Sequence, residues 1–389
     1  MVNPLRLLYR RLMQDQVQGY DLLLLCITLL LILAGIVMIY SASIGLSDRA
    51  FGSTSLLLRY HLLHLGVGLI GLVLAMRIPV AAWREWIPVW LLICFALLIL
   101  VLAPGIGTKV GGARRWLHIG FISVQPTEIL KLALIAFVAS YLDRKQALVS
   151  QFFRGIVPGL AVMGVFLLLA LLQPDFGTVV LIALTLLLMI FVGGAKPGHV
   201  LVSLLGSFIL GAYLVASQAY RMKRFLTFLD PWQDPQDAGF QIIQSYLAFG
   251  NGGVFGVGLG GSRQKMFFLP EAHTDFIFSI LAEELGLLGV LAIMFLFACF
   301  IWRGYKASLA AKDDFSRYLA FGITTLFSLQ IVLNLAVVMG MMPTKGLPLP
   351  FISLGGSSLV LNLFMTGILL NVGRRPTPWT GGDFRRELR

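Results

Sequence analysis

The sequence predicts an all-α polytopic membrane protein, with ten transmembrane helices and a long outer loop between the seventh and eighth. Three observations carry that prediction. Only 12% of the 389 residues are charged, where a soluble domain carries about 25%, so the chain has too little polar surface to wet a body of this size. The apolar residues come in long blocks. Residues 22–40, LLLLCITLLLILAGIVMIY, contain no charge, and a run of about 18 or more such residues reads as a membrane-crossing helix. The basic residues behind the formal charge of +12 gather in the connections. Anionic lipid headgroups are their counter-charge there, not nucleic acid.

Ten blocks fit spans, at about 21–43, 57–76, 86–103, 127–142, 156–172, 177–193, 199–217, 275–302, 318–341 and 351–372; the fourth to sixth are short. The first is too long for a signal-peptide core of about 7–15 residues, despite the cleavage-like Ser41-Ala42-Ser43, and reads as a retained helix. Ahead of it, residues 5–17 read as a basic amphipathic helix on the inner surface. Lys and Arg are more numerous in the segments that share a side with the two termini, which places both termini in the cytoplasm. The outer basic residues concentrate in two connections, 104–126 and 218–274, and this departure marks both as functional. The second is long enough for a lid or pocket wall. Within it Phe240, Ile243, Tyr246 and Leu247 repeat at helical spacing, as in a short helix resting at the lipid interface. The whole chain, 1–389, reads as one integral membrane domain containing that loop. Cys26, Cys94 and Cys299 lie in apolar blocks, with neither metal-ligand nor disulfide spacing, and read as packing residues.

Four constellations could carry chemistry. The first is FFLPEAHTDFIFSILAEELG, 267–286, where acids stand at the entrance to an apolar block. Pro270 suits the first turn of a helix. A helix starting there puts Glu271, Asp275 and Ser279 on one face, with Glu283 close to the same line. Carboxylates at membrane depth are costly and usually functional, and burial raises their pKa. Asp275 is therefore a candidate general base, while Glu271 and Glu284 read equally as a polar helix end. The second is GGARRWLHIGFISVQPTEILKL, 111–132. Adjacent Arg114 and Arg115 suit phosphate oxygens. Glu128 and Lys131, at i and i+3, are either a buried structural pair or a charged wall of the Asp275 cavity. The third is QPDFGT, 173–178, where Asp175 reads as a helix cap or a substrate contact. The fourth is MMPTKGLPLPFISLGGSS, 341–358. Its prolines and glycines make irregular backbone, tolerated at membrane depth where it is buried or lines a cavity. It brings one cation, Lys345, and the serines Ser353, Ser357 and Ser358. Gly256, Gly258 and Gly261 match G-x-G-x-x-G, but no βαβ unit surrounds them, so a dinucleotide site is excluded.

Together these motifs resemble the SEDS proteins (shape, elongation, division and sporulation), in the family's order and over nearly the whole chain. PTKG and DPWQDP look more like the division branch, FtsW, than the elongation branch, RodA. The resemblance implies a peptidoglycan glycosyltransferase of the bacterial inner membrane that polymerises lipid II at the division septum with a class B penicillin-binding transpeptidase and other division proteins. It implies Asp275 as the catalytic aspartate and Arg114, Arg115, Glu128, Lys131 and Glu271 as cavity residues. Lys345 joins Arg114 and Arg115 as a candidate for holding the pyrophosphate. A divalent cation could assist, but no ligand cluster demands one. Two positions depart from the family pattern: Thr127 stands where Ser or Ala is usual, and Leu354 replaces the common Tyr of ISYGGSS. The rival readings are a lipid II flippase and a non-catalytic scaffold.

Overall fold

The computed structural model describes residues 18–110, 113–119, 122–236, 239–266 and 268–376; the expected amphipathic helix at 5–17 lies outside them. The fold is the predicted helical membrane bundle. Among the described residues the α-helices are α1 (Leu22–Phe51), α2 (Leu56–Arg77), α3 (Val80–Leu102), α4 (Pro126–Lys145), α5 (Val157–Leu171), α6 (Phe176–Val192), α7 (Pro197–Ala216), α8 (Ala219–Leu229), α9 (Phe240–Gly252), α10 (Ile277–Leu309), α11 (Asp314–Val338) and α12 (Gly356–Val372). Each of the ten expected spans coincides with one of them. Seven are long and apolar enough to cross a membrane, α5 together with the π-helical turn Phe152–Ile156 that precedes it, and α6 and α12 are shorter apolar helices. Helix α4 carries the Glu128–Lys131 pair.

α11 and α4 form the centre, and their buried residues run around most of each helix. α7 is the opposite case. It is apolar all round and carries no buried residue, as a helix solvated by lipid should be. α2 and α12 run side by side and parallel. Their close approach needs small residues, as is usual between helices in membranes: a Cβ on Gly367 would run into the Leu72 carbonyl. At one end of the bundle the first and last described segments are clasped. Strand β1 (Gln18–Gly19) pairs with β5 (Arg375–Pro376), Arg303 bridges to Asp21, and the Arg374 guanidinium lies 4.4 Å from the Tyr20 ring centroid.

The other end holds the irregular segments, and here the structure corrects two expectations. Residues 104–126 are not a plain connection. They form a three-stranded antiparallel sheet, β2 (Thr108–Val110), β3 (Ala113–Ile119) and β4 (Ile122–Val124). The connection 218–274 contains two helices, α8 and the expected short helix, α9. α9 packs on α10, burying Ile242, Ile243, Ser245 and Ala248, while Tyr246 and Leu247 face out. The helix of the eighth span begins at Ile277, close to the expected 275, but does not reach back to Pro270, because residues 268–276 form consecutive turns in which Glu271 has φ 55.

Residues 339–355 dip back into the bundle as irregular backbone, and their polar groups are satisfied by α11. Gln330 Nε2 donates to the Pro348 carbonyl at 2.7 Å, and Asn334 Nδ2 to the Leu347 carbonyl at 2.8 Å. The deepest point is held by aromatic packing. Phe351 sits with its ring centroid 5.3 Å from Phe300 and 5.6 Å from Phe327.

Candidate active site

Asp275 lies in the turn immediately before α10. Its backbone carbonyl accepts from Asn334 Nδ2 at 2.9 Å. The neighbouring carbonyls of Thr274 and His273 accept from Ser353 Oγ at 2.6 Å and Leu354 N–H at 3.0 Å. Three consecutive residues are thus tied to the re-entrant segment and to α11, which fixes where the carboxylate stands. A Cβ on Gly346 would lie 3.4 Å from Asp275 Oδ2, so the 344–346 strip runs directly beside it. Burial, then the negative charge of Glu271, push the Asp275 carboxyl up to about 7, while Arg224 and Arg115 pull the other way. A carboxylate so placed can take and release a proton near neutrality. Glu271 itself is exposed and accepts from Thr274 Oγ1 at 2.7 Å. Burial lowers the His273 pKa, which favours the neutral imidazole beside it.

The adjacent arginines do not act as a pair. Successive residues of a strand point to opposite faces, and both lie on β3. Arg114 is exposed, and its side chain makes no hydrogen bond or ion pair among the described residues. Arg115 turns inward. Its Nε donates to the Gln173 carbonyl at 3.1 Å, its Nη2 donates to the Pro174 carbonyl, and its charge reaches Asp275. The second cation acting on Asp275 is one that the sequence reading passed over. Arg224, on α8, donates to the Thr344 carbonyl at 3.3 Å and stacks 4.5 Å from the Tyr220 ring. Its signal was present, since Arg221, Lys223 and Arg224 lie within one short amphipathic helix in a connection already marked as functional. Lys345 follows Thr344 directly and has no ion-pair partner among the described residues; burial lowers its pKa. Asp275, Arg115, Arg224 and Lys345 therefore share one end of the bundle, with Arg114 at its margin.

The remaining acids are clasps. Gly286 breaks α10 with φ 64 and ψ −166, and the turn 253–258 fills the break. The Glu283 and Glu284 carbonyls accept from the Val257 and Gly258 amides, each at 3.0 Å. The Leu287 and Leu288 amides donate to the Gly253 and Val254 carbonyls at 2.9 and 3.2 Å. This turn explains the false G-x-G-x-x-G match, because Gly256 and Gly258 adopt φ 78 and 92, conformations suited to glycine. The Glu283 side chain accepts from Ser262 Oγ, from Asn251 Nδ2 at 3.3 Å and from the Arg263 and Gln264 amides. Glu284 pairs with Lys265 at 2.8 Å and accepts from Ser41. Ser279 bonds Ser245 at 2.8 Å. The expected single stripe of Glu271, Asp275, Ser279 and Glu283 is therefore not formed.

Glu128 and Lys131 make a buried ion pair at 2.7 Å, at 3% and 1% exposure; they stand enclosed in α4 rather than on an open wall, with Glu128 Oε2 unpartnered. Asp175 is a cap. It accepts from the Thr178 amide at 3.4 Å, from Gln125 Nε2 at 3.1 Å and from Thr127 Oγ1 at 3.1 Å. Among the described residues no group of three or more His, Cys, Asp or Glu side chains is arranged to hold a metal ion.

A family profile described as Cell cycle protein, spanning FtsW, RodA and SpoVE, matches residues 21–377. The chain belongs to this family. Stage V sporulation protein E of Bacillus subtilis is 46% identical over 356 residues, which is 91% of this chain and 97% of that protein. A probable peptidoglycan glycosyltransferase FtsW of Geobacter is 44% identical over 360 residues, covering 92% and 98%. Among solved structures, a chain from a study of how a peptidoglycan synthase complex coordinates polymerization and crosslinking superposes with TM-score 0.73 at 30% identity, over 91% of this chain and 98% of that one. The Thermus thermophilus rod shape determining protein RodA gives TM-score 0.68 at 27% identity, over 91% and 97%.

Within this FtsW/RodA/SpoVE family member, both departures from the usual pattern have a physical reading. Thr127 supplies the hydroxyl that bonds Asp175, as a Ser would. Leu354 contributes its backbone amide to the His273 carbonyl, a contact that any residue except proline can make.

Proposed function

We propose that this protein is a peptidoglycan glycosyltransferase that extends glycan strands from lipid II. The observation that carries the reading is Asp275: a carboxyl pushed up to about 7 by burial and by Glu271, on a turn anchored at three consecutive carbonyls, and facing the charges of Arg115 and Arg224. In this reaction the Asp275 carboxylate takes the proton of the acceptor sugar hydroxyl. The hydroxyl oxygen forms the new bond to the donor anomeric carbon, and the bond from that carbon to the pyrophosphate oxygen breaks. The electron pair leaves with the polyprenyl pyrophosphate. Positive charge placed where negative charge develops lowers such a barrier; Arg115, Arg224 and Lys345 supply it, with Arg114 and Glu271 at the margin. The enclosed Glu128–Lys131 pair orders the α4 start, whose Thr127 reaches the Asp175 cap below Arg115. The lipid-facing helices, α7 above all, present apolar surface for polyprenyl chains.

The partner is a class B penicillin-binding transpeptidase, which would crosslink the emerging strand, and the site of action is the septum of the bacterial inner membrane, with both termini in the cytoplasm. Support comes from the relatives named FtsW and from the synthase-complex structure. The test is reconstitution with that partner and purified lipid II, with glycan chains resolved on a gel. Polymer from the wild type and none from Asp275→Ala is the expected result. Unchanged polymer from the variant removes Asp275 from the chemistry, and lipid movement across vesicles without polymer replaces the enzyme reading with transport.

A further inference from the structure

The re-entrant segment ends in Leu354-Gly355-Gly356-Ser357-Ser358, where α12 begins. The Leu359 amide is the first to find a helical carbonyl, that of Gly355 at 2.8 Å, and no side chain caps the helix. A helix start leaves its first N–H groups unsatisfied and carries about half a positive charge. Gly355 and Gly356 are half-exposed, so this start is reachable. Beside it, on one face of α2, stand His61 and His64, at 2% and 9% exposure. Both ring nitrogens of His61 and Nε2 of His64 lack any hydrogen-bond partner. A Cβ on Gly356 would meet His64 Nε2 at 2.7 Å, so this orphaned nitrogen is aimed at the first turn of α12. His64 Nδ1 lies 2.7 Å from the Tyr60 carbonyl and so carries a proton. Nε2 is left to accept from a phosphate O–H or, in the imidazolium, to donate to a phosphate oxygen. Buried polar atoms without partners are uncommon, and a glycine-opened helix start is a phosphate-binding geometry.

We infer that the amino terminus of α12 and His64 form a phosphate subsite, which holds the pyrophosphate of the second lipid-linked molecule in the reaction. The inference rests on the polymerase reading, because strand extension brings two pyrophosphate-bearing lipids together. Arg115, Arg224 and Lys345 stand at the one whose bond breaks. The α12 start holds the other close to the base. Leu354 bonds the His273 carbonyl at 3.0 Å, and Gly356 is two residues further on, about 7 Å of chain at most. That distance is of the order of a sugar ring, so a molecule gripped here by its phosphate presents its sugar to Asp275.

The test is the number of farnesyl diphosphate molecules bound per chain, measured by equilibrium dialysis of the purified full-length protein in detergent free of phospholipid. The wild type binds two. His64→Phe binds one, and so does Gly355→Ala, whose new methyl stands 3.4 Å from Ser358 Cβ in ordinary contact and so fills the cradle without disturbing the fold. An unchanged thermal midpoint for Gly355→Ala guards against a loss through unfolding. Inorganic pyrophosphate displaces the His64-dependent equivalent. Two equivalents retained in both variants overturn the subsite. Phosphatidylglycerol displacing that equivalent at the concentration of the probe assigns it to phospholipid headgroups and overturns the substrate assignment. Asp275→Ala keeps both equivalents whether or not it makes polymer, so a failure of the catalytic reading is separable from a failure of this one.

Discussion

Lys265 and Glu284 form an ion pair that water hardly reaches: the side chains are 9% and 0% exposed, with Nζ 2.8 Å from Oε1. Ser41 completes the arrangement, donating to both carboxylate oxygens at 2.7 and 2.8 Å and accepting from Lys265 at 2.9 Å. The three groups come from α1, from the segment that follows the 253–258 turn and from α10, so the pair fastens the chain that leaves the turn filling the broken helix. Lys265→Met leaves the Glu284 carboxylate buried with a single neutral donor. Breaking one side of such a pair costs about 3–5 kcal/mol, a large share of the roughly 5–15 kcal/mol that holds a domain folded. Replacing both partners by apolar side chains is often neutral. The double variant Lys265→Met/Glu284→Leu should therefore regain most of what either single variant loses, with a coupling of at least about 2 kcal/mol in a double-mutant cycle. The assay is equilibrium unfolding in mixed micelles, followed by tryptophan fluorescence. Single variants within about 0.5 kcal/mol of wild type, as surface substitutions usually are, or a double variant equal to the sum of the singles, would refute the reasoning.

Four further outcomes follow from the structure. Polymerisation should fall on the acid side with a limb near pH 7, because the base is active only as a carboxylate and its pKa is raised to about 7; a pH profile of kcat/KM checks this. The same shift makes the folded state bind more protons than the unfolded one between about pH 4 and 7, so Asp275 lowers stability as pH rises through that window, and Asp275→Asn should raise the thermal midpoint at pH 8 more than at pH 5. Gly286→Ala should cost at least about 1–3 kcal/mol from backbone strain alone, with a further penalty because its Cβ runs into the Gly256 amide; unfolding measurements read it directly. Arg115→Lys cannot span the Gln173 and Pro174 carbonyls together, and should lose about 1–3 kcal/mol of stability and most polymerising activity.

Much of this was legible in the sequence wherever one periodicity governs. The spans were found because lipid demands about 20 apolar residues and the helix supplies 1.5 Å per residue. Pro126 as a helix start, Glu128 and Lys131 as an i, i+3 pair and Asp175 as a helix cap follow from local geometry, and the structure contains all three. Helix α8 and Arg224 were not read, because the eleven residues of α8 are too few to announce a helix beside long apolar blocks. The β2–β4 sheet was not read either. Its strands are short, and its register is closed by pairing between segments rather than by a pattern within one.

The two errors about charge share a cause, which bears on what the site can do. Placing Glu271, Asp275 and Glu283 on one stripe assumed that the helix begins at Pro270. Because it begins at Ile277, 3.6-residue periodicity does not extend back through 268–276, and Asp275 is freed from the face that Glu283 occupies. Pairing Arg114 with Arg115 assumed a loop, whereas a strand sends neighbours to opposite sides. In both cases the change separates like charges. Glu283 spends its oxygens on Ser262, Asn251 and two backbone amides, and Arg114 faces outward. What remains around Asp275 is one nearby acid, Glu271, set against the opposing charges of Arg115 and Arg224. Had Glu283 stood on the same stripe, its like charge would have added to the rise in the Asp275 pKa and left little carboxylate at neutral pH. The helix start at Ile277, and the contacts of Asn251 and residues 262–264 that hold the Glu283 oxygens, keep that second carboxylate out of the site, so the non-helical entry to the eighth span is a condition for the base to work.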